Sequence, residues 1–421
     1  MPADYRFPPG GGVNNYYQAD WIIGVAPDTN CNQQVDGVAD NVEIAAALAA
    51  VDHVHLNPGT FMIAAQINMP SYKKLSGSGY NTTMLQRTAD TKILDFGGAA
   101  PRVRTELVDM VYHGGDPAWT SEAIDFQAVR DSKFHELAAA AFKGPVFVIA
   151  GSGSGNESIY NSWYNIFSRQ HYQGIPDNTG FFHIGGTAWD SSIHNFKGTL
   201  ESATGGIDSG MTGIQVNGDA CSWHVDEMHV DNARNNIKFD TASLHEWVIE
   251  RSYFDGGHDH SIEVVLTTGN QMNDLTFRDN FFFHNNAALD YVNMTRGATN
   301  GMCKDFKFKD NRGKQDGTVN FRWAVNCDNV SLLRHNSVFR DNSWGGTPAA
   351  GIYNNVPTTY IFNDEVDRTR EYQTVAGPGL APPTYVGTPR EGDTCVMWDI
   401  AGAACAEYLY ANGAWRLQNA P

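Results

Sequence analysis

The chain has 421 residues, of which 47 are Asp or Glu and 29 are Lys or Arg, for a formal net charge of −18. Aromatic residues make up 12%, enough for a large core, which excludes global disorder. The acidic balance repels phosphates and polyanionic glycans at long range, so nucleic acid is not expected as a partner, and a neutral glycan or a protein surface is.

Residues 1–38 read as an N-terminal extension with a Gly- and Tyr-rich lead-in at 10–17. The start, Met1-Pro2-Ala3-Asp4-Tyr5-Arg6, lacks the apolar stretch of a signal peptide. No apolar run approaches transmembrane length, so no membrane insertion is expected, and an extracellular location requires another route such as cell lysis. Asp40 to Leu48 predicts a capped amphipathic helix that covers the open first coil of a solenoid.

Residues 39–354 repeat an apolar–X–apolar triplet at irregular intervals of roughly 20–40 residues, the range of solenoid repeats. The triplets are Leu94-Asp95-Phe96, Ile124-Asp125-Phe126, Val146-Phe147-Val148, Phe182-His183-Ile184 and Ile214-Gln215-Val216. They continue as Ile237-Lys238-Phe239, Ile262-Glu263-Val264, Leu289-Asp290-Tyr291, Val319-Asn320-Phe321 and Ile352-Tyr353-Asn354. Alternation of this kind puts one side in a core and the other outside. A second series ends in Phe277-Arg278-Asp279-Asn280, Phe308-Lys309-Asp310-Asn311 and Leu333-Arg334-His335-Asn336, with Ser252 in register. It predicts an internal Asn ladder at a coil corner, because Asn tolerates left-handed geometry and its amide bonds along a stack. The repeat is too irregular for leucine-rich repeats, lacks a recurrent helix, and is too short for propeller blades. The expected fold is therefore all-β, a right-handed parallel β-helix.

Residues 355–390 are Pro- and Thr-rich without the repeat and read as a linker or irregular segment. Residues 391–421 alternate like a small antiparallel meander, with Asn412-Gly413 as a hairpin turn. None of the six cysteines forms a CxxC, and no His lies at zinc spacing from a Cys pair, so neither metal nor cofactor is expected. Cys395 and Cys405 flank the predicted hairpin, either as a disulfide or as free buried thiols.

Residues 40–86 carry the helix motif, then Val54-His55-Leu56-Asn57-Pro58-Gly59-Thr60-Phe61, then Leu75-Ser76-Gly77-Ser78-Gly79-Tyr80. This resembles the N-terminal module of pectate-lyase-like β-helix proteins, which include polysaccharide lyases, glycoside hydrolases and phage tailspikes. Asn57 stands where many relatives have a second Pro. The motifs are structural, so the resemblance implies the fold and not the chemistry. The Tyr-rich lead-in and the C-terminal meander resemble a phage virion component. That resemblance implies a homotrimer at a virion surface, with a bacterial surface glycan or other virion proteins as partners.

The middle triplet residues form an outward stripe. If Glu263 and Asp290 lie on adjacent coils, their carboxyls are about 5 Å apart, as in a retaining glycosidase, and one pKa is raised. Next to them, Asp255-Gly256-Gly257-His258-Asp259-His260 gathers acids and imidazoles in a polar loop. Glu263, Asp290, Asp255, His258 and Asp259 are thus the catalytic candidates, against the reading of a solvated face with an ordinary turn. Lys238, Gln215, Asn320, His183 and Tyr353 are the substrate-binding candidates. A further cluster, His224, Asp226, Glu227, His229 and Asp231, sits in a segment where Val225 and Val230 cannot share a face without a bend. Trp163, Tyr164, Tyr172, Trp189, Trp344 and Tyr353 are candidate sugar platforms, although core packing claims most Trp. Three functions stay open: a virion-borne glycoside hydrolase that depolymerises a surface polysaccharide, a non-catalytic decoration or receptor-binding protein, and, last, a free polysaccharide lyase.

Overall fold

The computed structural model describes residues 19–362, apart from residues 99, 154, 203–208, 241–243, 256–257, 267–270, 284–287, 297–301, 315–320, 330–331, 335, 345–347, 351 and 358–359. Beyond these it describes the strands Tyr372–Val375, Thr394–Asp399, Ala404–Ala411 and Ala414–Asn419. The chain winds into a right-handed parallel β-helix. One coil runs Thr212–Val216, Asp219–Asp226, His229–Asp231, and the next runs Asn235–Asp240, Leu244–Glu250, Tyr253–Asp255. Each strand pairs in parallel with its counterpart: Ile214 with Ile237, Val225 with Ile249, Val230 with Phe254. The coil therefore has three faces, called here first, second and third in that order.

Apolar residues on the inner side of every face meet in one continuous core. Its widest part is a column of stacked indoles, Trp163 on Trp223 on Trp247, with centroids 5.8 and 5.5 Å apart. Each coil buries its apolar side only against its neighbours, which is why the column runs along the axis.

Between the second and third faces the chain turns sharply through one left-handed residue per coil: Asn195, Glu227, Arg251, Asp279, Asp310, Asp341. This bend lets both Val225 and Val230 reach the core. Immediately after it runs a buried amide ladder. The Ser252 backbone N–H donates to Asn280 Oδ1, that of Asn280 to Asn311 Oδ1, and that of Asn311 to Asn342 Oδ1, at 3.0–3.1 Å. Asn342, not Asn336, is the fourth member, because the in-register tetrapeptide is Phe339-Arg340-Asp341-Asn342.

Register also corrects four triplets. Phe147 pairs with Phe182 and points inward, so Val148 is the outward residue beside His183. Glu263 pairs with Asn293 and not Asp290, Asn293 with Asn326, and Asn326 with Asn354 in place of Tyr353. The interior column thus continues Ile214, Ile237, Ile262, Val292, Val325 in place of Leu289 and Val319.

The helix Asn41–Ala50 packs against the first strands and buries Ile44, Ala47 and Leu48. Asp40 precedes it, but its carboxylate accepts from the Gly37 and Met62 N–H groups and not from the helix. In the C-terminal sheet, Tyr372–Val375 runs parallel to Thr394–Asp399, and the other pairings are antiparallel. Cys395 lies opposite Tyr408 and Cys405 opposite Trp398, so the two cysteines are not cross-strand partners.

Candidate active site

The expected site residues separate into three places. On the first face, Glu263 binds Lys238 Nζ at 3.1 Å and accepts from Asn235 Nδ2 at 3.2 Å. Asp290 lies ahead of the strand, is fully buried, and is gripped by both Nε and Nη2 of Arg322, with Asn326 Nδ2 at 3.0 Å. The outward carboxylate pair expected from Glu263 and Asp290 does not form, because the buried Asp290 is consumed by an arginine fork. His260 lies beside both, and burial lowers its pKa. Gln215 is fully buried and not on a solvated stripe, and His183 is held by Asn217 at 3.1 Å. Asn320 lies outside the described residues. Tyr353 packs edge-on against Phe339. His258 is exposed, while Asp259 accepts from Arg234 at 2.7 Å. Of the proposed platforms, Trp163 and Trp344 are core residues.

The second face carries a dense charge network. His194 binds Asp226, His224 binds Glu250 at 3.1 Å, Arg251 binds both carboxylates, and Arg278 binds Glu250. Asp226 and Glu250 are neighbours in register and almost wholly buried. Each already has a cation, so the network is a brace for the bend and has no carboxylate left for a substrate.

On the third face His229 Nε2 lies 3.1 Å from Asp231 Oδ1, and no arginine or lysine pairs with Asp231 or Asp255 among the described residues. An open groove of about 800 Å³ runs here, with His113, Ser168, Arg169, Lys197, His229 and Asp231 along it. Lys197 pairs in register with His229, and His229 with Tyr253. Asp231 and Asp255 end the two strands His229–Asp231 and Tyr253–Asp255 on successive coils. One donor atom each from His229, Asp231 and Asp255 all lie within 4.8 Å of one another. Burial first, then the Asp231 charge, raises the pKa of Asp255, and His229 opposes the shift. A carboxyl whose pKa is raised holds its proton to higher pH than an ordinary one, which is the direction a general acid needs. One nitrogen and two carboxylate oxygens also form a donor set able to take a divalent cation.

Ser168 borders the groove and contacts His171 Nε2 at 3.1 Å, which suggests a nucleophile and its base. The tautomer rules this out. The Phe142 N–H donates to His171 Nδ1 at 3.3 Å, so the ring proton sits on Nε2 and points at the Ser168 oxygen. Burial pushes the pKa of His171 down to about 3. Ser168 itself donates to the Thr199 carbonyl at 2.8 Å and is structural.

Sequence reasoning grouped Asp255 with Glu263 and Asp290, whereas the structure brings it beside His229 and Asp231, and it did not single out Arg169 or Lys197, which line the groove. The signal for the pair was available: His229-Val230-Asp231 and Tyr253-Phe254-Asp255 share one pattern, each just past a bend.

No family model matches the chain, and no curated protein does. Among solved structures it is similar to the tailspike protein of E. coli bacteriophage HK620, solved with a pentasaccharide and with one aspartate and one glutamate replaced by alanine. The TM-score is 0.58 at 10% identity, covering 81% of this chain and 64% of the tailspike. Another variant of that tailspike gives a TM-score of 0.53 at 9% identity, covering 78% and 62%. The A-module of a mannuronan C-5 epimerase from Azotobacter vinelandii gives 0.47 at 12% identity, covering 78% and 96%. The chain thus spans under two thirds of the tailspike's length, and identities this low speak for the fold alone. The fold that this chain shares with these structures is the right-handed parallel β-helix.

Proposed function

We propose that this protein binds a bacterial surface polysaccharide in the third-face groove and hydrolyses it, with Asp255 as general acid and Asp231 as nucleophile. The observation that carries the reading is the Asp231–Asp255 pair, whose oxygens approach within 4.8 Å at the edge of the groove. That suits the ~5–5.5 Å of retaining glycosidases and falls short of the ~6.5–9.5 Å an inverting pair needs for its water. Asp255, with the raised pKa, gives its proton to the glycosidic oxygen as the bond to the anomeric carbon breaks, and Asp231 forms the ester to that carbon. Water then attacks the ester, passing a proton to Asp255 as the ester bond opens. The pentasaccharide carried by the tailspike of like fold supports a glycan as ligand, and the tailspike likeness is the support for a place on a virion.

A reducing-end assay on purified capsular and O-antigen polysaccharides tests this. Asp231→Asn and Asp255→Asn should each lower hydrolysis by about 10²–10⁴-fold, since a carboxamide neither donates the proton nor attacks. Glu263→Gln, whose partner is Lys238 on another face, should cleave like wild type. If both Asn variants keep the wild-type rate, the assignment is wrong. A wild type that binds a glycan and cleaves none is instead a receptor-binding protein.

A further inference from the structure

We infer that the groove takes an acidic glycan, with an anionic group of one sugar seated between Lys197, one coil before Asp231, and Arg169, one coil before Lys197. The inference rests on reading the groove as the glycan site, and it reverses the expectation of a neutral ligand drawn from net charge. The chain as a whole has 47 acidic residues against 29 basic ones. The groove is richer in cations than the chain: its lining holds two permanent cations, Arg169 and Lys197, against one carboxylate, Asp231, with Asp255 beside it.

On the adjoining faces Lys74 is paired with Glu106, Lys307 with Asp274, Arg234 with Asp259, and Arg251 and Arg278 with Glu250. The Arg169 guanidinium donates to the neutral amide oxygen of Asn81, and among the described residues neither Arg169 nor Lys197 has an ion-pair partner. Lys133, Lys143, Lys309 and Arg312 likewise have no ion-pair partner among the described residues, and what sets Arg169 and Lys197 apart is that both line the groove. Both are exposed. A cation that an acidic protein leaves unneutralised beside a groove is free to pair with a ligand, and the surrounding negative field does nothing to weaken so short a contact. The floor next to them is Ala140 and Ala141, whose methyl groups leave room for a ring.

The spacing fits a polymer lying along the solenoid axis. Lys197 stands one coil, about 4.8 Å, before His229, and Asp231 stands one coil before Asp255. A sugar placed over Lys197 therefore has its neighbour over the carboxylate pair. The charged group is held away from Asp231 and Asp255, and the bond between the two rings is presented to them.

Binding of the full chain to alginate, polygalacturonate and hyaluronate, each compared with its carboxyl-reduced neutral form, tests the inference. At least one acidic polymer should bind ten or more times tighter than its reduced form, and the difference should shrink as salt rises from ~0.05 to ~0.5 M. The double variant Arg169→Gln, Lys197→Gln should lose about tenfold in affinity for that polymer. Lys197→Arg, which keeps the charge, should retain the affinity and so guards against a folding artefact. Equal binding of acidic and reduced forms, no binding of any acidic polymer at low salt, or an unchanged double variant overturns the inference. Cleavage of a neutral polysaccharide that depends on Asp231 and Asp255 also overturns it and leaves the hydrolase reading standing. Carboxylate-dependent binding without cleavage does the reverse.

Discussion

Asp255 pays for its reactivity with stability, and the sign of that trade is testable. Its pKa is raised in the folded chain by burial and by Asp231, so the folded state holds the proton more tightly than the unfolded one. Below the unfolded value of about 3.9 both states are protonated and the residue is neutral to folding. As pH rises through that value the unfolded chain releases the proton first, and folding is penalised from there upward. Asp255→Asn removes a half-buried like charge without changing the shape. The variant should therefore melt higher than wild type at pH 7, and the two melting curves should converge near pH 3. A variant that melts lower than wild type at pH 7 and equal to it near pH 3 would show that the carboxylate is stabilised by a partner, and the general-acid role would go with it. The Asp226–Glu250 pair makes the contrast. Arg251 and Arg278 neutralise it and His194 and His224 contact it, so the same aspartate-to-asparagine change at Asp226 breaks bonds and relieves nothing.

The coil is the element, and the bend between its second and third strands is what gives the site its shape. The amide ladder behind that bend is fully satisfied. Asn311 Nδ2 donates to the Phe277 carbonyl and to Asn342 Oδ1, and its Oδ1 accepts from the Asn280 N–H and Nδ2, all at 3.1 Å. Asn311→Ala strands a carbonyl and an N–H in the interior and should cost about 2–4 kcal/mol, measured by urea unfolding. A cost under about 0.5 kcal/mol would mean that water replaces the amide. The repeat, the fold and the ladder were legible in the sequence because alternation and Asn recur. Register was not legible wherever two apolar phases overlap. In 289–294, Tyr291, Val292 and Met294 are all fully buried, so either phase looks like an inner strand. Phe321, Ala324, Val325 and Cys327 pose the same ambiguity. With Asp290 assigned to the outward column, Glu263 was given a neighbour that register replaces with Asn293, and the proximity of Asp255 to Asp231 stayed hidden. The left-handed bend was the other hidden quantity. Glu227 and Arg251 occupy it, and neither residue type announces φ values of 52° and 48°.

At the scale of the molecule, a solenoid needs both ends covered, since a terminal rung presents unpaired strand groups that recruit other chains. The helix Asn41–Ala50 does this at the start. At the other end the last rung pairs Phe339 with Ile361 and Arg340 with Phe362, and the chain continues into the four-stranded sheet. Four short strands hold too few residues for an independent core, so this sheet needs a partner surface to be stable. The sheet of another copy is a surface it always has available, and a closed ring of copies satisfies every one of them at once. Three is the number implied by the resemblance of the Tyr-rich lead-in and the C-terminal meander to a phage virion component. We therefore expect a homotrimer with the 391–421 segment holding the chains together. Light scattering should give about three times 46.2 kDa for the full chain. Deleting residues 391–421 should give monomers or aggregates while the circular dichroism of the solenoid persists. A full-length monomer whose melting temperature is unchanged by the deletion would remove the trimer. It would leave the groove intact, because Arg169, Lys197, Asp231 and Asp255 all belong to coils within one chain.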